Sequence, residues 1–291
     1  MTANIQKLKR KYLPENLTIS DWESIEPYFK ELLEREINSK EELEKWLKDM
    51  SELEAMITED SCWRQIKMTC DTTNKEFEES FNSFYMEIQP KIQPYAFELN
   101  KKLINSRFLN ELDKDKYFTY LRSIRKHIEL FREENIPIQA DLAVLQQHYG
   151  MITGKMSIEV NGKEYTLQQA NKFFESHDRK LREEVYRKIN ERRLQNKDEL
   201  DILFSKLVEK RNQEALNAGF ENYRDFKFKE LGRFDYTKED TFQFHDSIRK
   251  HVVPLVKKIN EHKKEKLQLE QLRPWDIEAE PEGTEPLSPF E

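Results

Sequence analysis

Residues 176–193, SHDRKLREEVYRKINERR, and residues 198–226, DELDILFSKLVEKRNQEALNAGFENYRDF, decide the fold. Val185, Tyr186 and Ile189 in the first run recur at the three- and four-residue spacing of an α-helix, as do Leu200, Leu203, Phe204, Leu207, Val208 and Ala215 in the second. Two amphipathic helices of this length each have a face to bury. Gly219, after Ala218, has the character of a helix stop, because a residue without Cβ enters positive φ freely.

Upstream the texture changes. MSIEVNGKEYT, residues 156–166, alternates apolar and polar residues on both sides of Asn161-Gly162, the preferred dipeptide of a tight turn, and predicts one small β-hairpin. Thr166 with Gln169 caps the next helix, and Ser176 or Asp178 starts the long one after it. Beyond Gly219, Gly232 stops a short helix through Tyr223 and Phe228. Thr237 then caps a last long helix carrying Phe242, Phe244, His245, Ile248, Val252, Leu255, Val256 and Ile259, with a bend at Pro254.

The N-terminal part repeats the helical pattern. Ser20 and Glu23 have capping-box spacing, followed by a stripe of Trp22, Ile25, Phe29, Leu32, Leu33 and Ile37. Ser39 and Glu42 repeat it ahead of Leu43, Trp46, Leu47, Met50, Leu53 and Ile57. The short break implies an antiparallel pair, and the run from Thr73 through Phe77, Phe81, Phe84, Ile88, Ile92 and Tyr95 is its third partner, kinked or divided by Pro90 and Pro94. A further helix from about Lys114 to Glu134 and a shorter one to about Tyr149 flank Pro137. The tail LRPWDIEAEPEGTEPLSPFE has no helical period and reads as a loop or linker with no partner in this chain, and its Trp275 as an anchor for something outside it.

Charged residues are 36% of the chain and only 6 of its 291 residues are glycine, which favours helices over strands and turns. The fold class is mainly α, a multi-helix array with one hairpin near 156–166. The sequence divides into an N-terminal helical arm (1–110), a helical N-terminal domain with the hairpin (111–197) and a third region (198–291). A net charge of −7 with interspersed signs argues against nucleic acid as a partner. No apolar run approaches a membrane span, and MTANIQKLKRKYLPENL has no apolar segment after its basic residues, so it is no signal peptide. Cys62 and Cys70 lie roughly 12 Å apart along one helix, too far for a disulfide, and read as reduced thiols of a cytoplasmic protein.

Catalytic, cofactor-binding and metal-binding residues are all predicted to be none. Among His127, His148, His177, His245, His251 and His262 no two are three or four apart, and none is followed by Glu. Asp178 with Arg182 fits an i, i+4 pair near a helix start better than His177-Asp178 fits half of a metal site. There is no nucleophile elbow and no glycine-rich phosphate loop. Phe173, Phe174, Phe220, Tyr223, Phe226, Phe228, Phe234 and Tyr236 could line a peptide groove, but core is the better reading.

SHDRKLREEVY (176–186), LVEKRNQEALNAGFENYRDF (207–226), LGRFDYT (231–237) and LRPWD (272–276), with the opening helices at DWESIEPYFKELLEREINSKEELEKWL, follow one another in an order that resembles the N-terminal half of the oligoendopeptidase F group, within the thimet-oligopeptidase-like zinc metallopeptidases. The resemblance implies a helical enzyme whose deep channel admits short peptides. In the family, an H-E-x-x-H motif after the LRPWD-like segment holds zinc with a downstream glutamate, and the motif glutamate is general base to a zinc-bound water. No such motif occurs by Glu291, so no family catalytic or metal residue maps onto this chain. The expectation is the N-terminal portion of a cytoplasmic zinc metalloendopeptidase hydrolysing short peptides. Residues 198–291 would begin the peptidase domain, zinc would belong to the full-length parent only, and the fragment would be an inactive wall of the channel. It should self-associate along Phe242 to Ile259. The alternative is a self-standing helical interaction module without catalysis.

Overall fold

The computed structural model describes residues 9–281 and 283. The chain forms two compact units, Met1–Gly150 with Lys206–Gly232, and Met151–Ser205 with Arg233–Glu291.

In the first unit, α1 (Glu26–Glu34) and α2 (Lys40–Cys70) bury Ile25, Phe29, Leu32, Leu43, Trp46, Met50 and Leu53 in one core. Ser39 caps α2 through the Glu42 N–H as its spacing predicts, whereas α1 starts at Glu26 without a side-chain cap. Asp21 accounts for the difference: its carboxylate takes both the Ser20 hydroxyl and the Ser24 N–H, drawing that stretch into a turn. The Trp46 indole N–H donates to Leu32 O at 2.8 Å. The Lys102 ammonium donates to the carbonyls of Leu32, Leu33 and Arg35 at 2.6–2.9 Å, so a cation meets the negative end of α1. Burial of that ammonium pulls its pKa down.

The third partner is α3 (Lys75–Ser83), a π-turn at Phe84–Ile88 and α4 (Gln89–Ile104), placing Phe84, Ile88, Leu99 and Leu103 in the same core. Pro90 divides the run without breaking it. The Gln89 N–H reaches back five residues to Phe84 O, and this wide turn carries the chain past a residue that cannot donate. Pro94 lies inside α4. Next come α5 (Lys114–Leu130), capped by Asp113, and α6 (Asn135–Gly154), which accommodates Pro137 in its first turn and runs past the expected end at Tyr149.

In the second unit, β1 (Ser157–Val160) and β2 (Lys163–Thr166) pair antiparallel, Ile158 opposite Tyr165. Asn161 and Gly162 have φ of 53° and 73°, the double positive φ of a type I′ turn. The Thr166–Gln169 capping box opens α7 (Leu167–Ala170), and Asp178 caps α8 (Arg179–Leu194). Then α9 (Lys197–Asn217) ends in a Schellman motif: Gly219 at φ 85°, its N–H on Leu216 O, the Phe220 N–H on Ala215 O. With α10 (Tyr223–Glu230), the end of α9 returns to the first unit, where Ala215, Ala218 and Phe226 pack against Leu130. Finally α11 (Lys238–Ser247), a π-turn at Ile248–Val252 and α12 (Val253–Lys266) form the last helical run. A π-turn again ends two residues before a proline, Pro254, where the sequence predicts a bend.

Candidate functional site

The tail is not the free linker its sequence suggests. Residues 271–279 dock on α8 within the second unit, around an Asp276 carboxylate with no exposure at all. Arg182 on α8 donates to Asp276 Oδ1 at 2.9 Å, and Arg179, one turn earlier, reaches both oxygens at 3.1 and 3.0 Å. The Arg273 N–H adds a bond to Oδ2 at 3.0 Å. Arg182, itself buried, also donates to the carbonyls of Trp275, Ser176 and His177. The charge is therefore paired and fully hydrogen-bonded, the condition under which burying it is tolerable. Burial alone would raise the Asp276 pKa, but the two guanidinium groups and the Arg273 N–H outweigh it, and the carboxyl sits below the usual range.

Trp275 follows the same path. Its ring lies 5.3 Å from that of Tyr186, with the Arg187 guanidinium 5.7 Å over its face, so its anchor is α8 in the same chain. The expected Asp178–Arg182 pair does not form, because Asp178 caps α8 and Arg182 turns to Asp276. A cavity of about 430 Å3 beside this clasp is lined by His177, Arg179, Arg182, Lys266, Gln268 and Glu280. It is cationic, but its arginines are already engaged, so the arrangement holds the chain together and offers little to a ligand.

The histidines are dispersed over α5 (His127), α6 (His148), the approach to α8 (His177), α11 (His245), the second π-turn (His251) and α12 (His262). Among the described residues no group of three or more His, Cys, Asp or Glu side chains could hold a metal ion. Cys62 and Cys70 are both exposed free thiols on α2. Of the aromatic set, Phe226 is buried with Phe220 and Tyr223 against it, Phe173 meets Tyr165 edge-on, Phe174 lies near Tyr186, and Phe234 and Tyr236 are exposed.

An exposed apolar stripe runs along α11, the second π-turn and α12. Phe242, Phe244, Val252, Val253, Leu255, Val256 and Ile259 are all exposed, Phe244 by 64% and Ile259 by 56%, and neither helix has a buried residue. Solvated helices normally turn such a stripe inward. No helix among the described residues is long and apolar enough to cross a membrane.

Comparison with known proteins assigns this fold. Three solved structures share it: one assigned as oligoendopeptidase F (TM-score 0.85, 23% identity), one assigned as oligoendopeptidase F from Bacillus anthracis str. Ames (0.82, 21%) and PZ peptidase A with an inhibitor (0.83, 21%). They match 93%, 94% and 93% of this chain but 48%, 49% and 47% of their own, so the chain spans about half their length. No curated protein matches. The sequence matches the Peptidase M3 N-terminal domain over residues 14–131 and Peptidase family M3 over residues 173–288. With these two regions matched in succession, the chain belongs to peptidase family M3.

Proposed function

We propose that the chain is the N-terminal portion of a zinc-dependent oligopeptidase that hydrolyses short peptides in the cytoplasm, that its helices form one wall of the substrate channel, and that this portion alone cleaves nothing. The observation that carries the reading is the paired family match, 14–131 and 173–288, on a fold spanning about half of each similar structure. Two of those structures bear the name oligoendopeptidase F, which supports peptide as the substrate class. Residues 198–291 would begin the peptidase domain, with the uncovered stripe from Phe242 to Ile259 as the seat of further protein or, failing that, of a second copy.

Zinc is the metal this family implies, and the described residues do not fit it, since none of their His, Cys, Asp and Glu side chains gather in threes. No step of a reaction is therefore assigned to this chain's side chains. The purified protein is expected to retain no stoichiometric zinc and to leave short fluorogenic peptides uncut. Stoichiometric zinc together with chelator-sensitive cleavage by residues 1–291 would refute the proposal. A self-standing interaction module is the second reading, favoured by the same uncovered stripe.

A further inference from the structure

A cavity of about 580 Å3 in the first unit lies between the end of α3 with its π-turn, α6 and the middle of α9, apart from the tail clasp. Small-molecule sites fall in the range of about 300–1,000 Å3. The cavity's apolar lining consists of half-buried Val144 and Leu145 of α6 and of Met86, exposed by 46% on the π-turn. Its polar features are unevenly satisfied. Lys210 is bound to Asp141 at 2.5 Å, whereas Lys206, one turn earlier on the same face of α9, is exposed and has no partner among the described residues.

These features select a ligand chemistry. A wholly apolar ligand would leave Lys206 unmet, and an inorganic anion would leave the apolar lining wet. Asp141 neutralises Lys210, so one net positive charge remains on the rim and calls for a single carboxylate. We propose that this cavity binds the C-terminal residue of a short peptide. The apolar side chain rests on Met86, Val144 and Leu145, and the α-carboxylate meets Lys206. The choice of a peptide over other amphipathic acids rests on the channel-wall reading.

The test is methyl NMR of the 291-residue chain titrated with N-acetyl-L-leucine, N-acetyl-L-leucinamide and acetate. The acid should shift the Met86, Val144 and Leu145 methyls and bind about two- to fivefold tighter than the amide, the worth of one exposed ion pair. Acetate should shift none of them. Lys206→Met should erase the preference for the acid, and Val144→Trp, which puts an indole into the apolar part of the cavity, should weaken acid and amide alike. No shift with the acid, equal affinity for the amide, or a preference that survives Lys206→Met overturns the proposal. Binding is read here without catalysis, so a failure of the peptidase reading and a failure of this site remain distinguishable.

Discussion

Replacing Asp276 by alanine leaves Arg182, only 3% exposed, as a buried guanidinium without its counter-ion. Removing one partner of a buried ion pair costs about 3–5 kcal/mol. Arg182 keeps the carbonyls of Ser176, His177 and Trp275, so the expected loss is at the lower end, about 3 kcal/mol. The double variant Arg182→Met, Asp276→Leu removes both charges together and should be less destabilised than the two single variants summed, its remaining loss coming from the carbonyls of Ser176, His177 and Trp275 that lose their donor. Urea unfolding gives the coupling energy, and hydrogen exchange across 179–194 and 271–281 shows whether the loss is confined to this unit. The sign of the pH effect follows from the depressed Asp276 pKa. Its contribution is fully present above the unfolded carboxyl value of about 3.9 and is lost as pH falls through the folded value, so parent and Asp276→Ala stabilities should converge in acid. A single variant costing under about 0.5 kcal/mol, or a double variant as unstable as the two singles summed, would refute the clasp as a structural element.

Gln268 holds φ of 53° at the end of α12, a left-handed conformation that strains a residue with a Cβ, so Gln268→Gly should raise stability by roughly 0.5–1 kcal/mol in a thermal melt. The Glu214 pKa is raised by burial and by Glu230 despite a hydrogen bond from Gln139. A raised carboxyl contributes stability below its unfolded pKa and loses it as pH rises through the folded value, so Glu214→Gln should be the more stable form at neutral pH, with the gap closing towards pH 4, about the unfolded glutamate value. Sedimentation velocity should find the chain self-associating in a concentration-dependent way, and Val256→Asp with Ile259→Asp should shift it to monomer; a monomeric parent would count against an unsatisfied apolar face there.

Local signals in the sequence carried most of the helices. Asn161-Gly162 specified the hairpin, Ser39, Thr166, Asp178 and Thr237 each cap the helix that follows, and the stripe from Trp22 to Leu53 is the observed core. The first start was misplaced because Ser20 and Glu23 match a capping box in spacing alone, while Asp21 competes for the same groups. The docked tail was illegible for a different reason. Arg182 and Asp276 are 94 residues apart, and a pairing at that separation leaves no period in either segment. The one hint was Trp275, a large apolar residue in a stretch without helical spacing, which implied a partner but not which one. The cavity beneath Lys206 was equally hidden, since Asn82, Val144 and Lys206 come together only when three helices pack.

Reading the coding frame past Glu291 tests the central claim, that this chain is the N-terminal portion of an M3 zinc oligopeptidase, most directly. The account predicts an H-E-x-x-H motif followed downstream by a glutamate ligand. A stop codon directly after Glu291, or a continuation with no such motif, would contradict it.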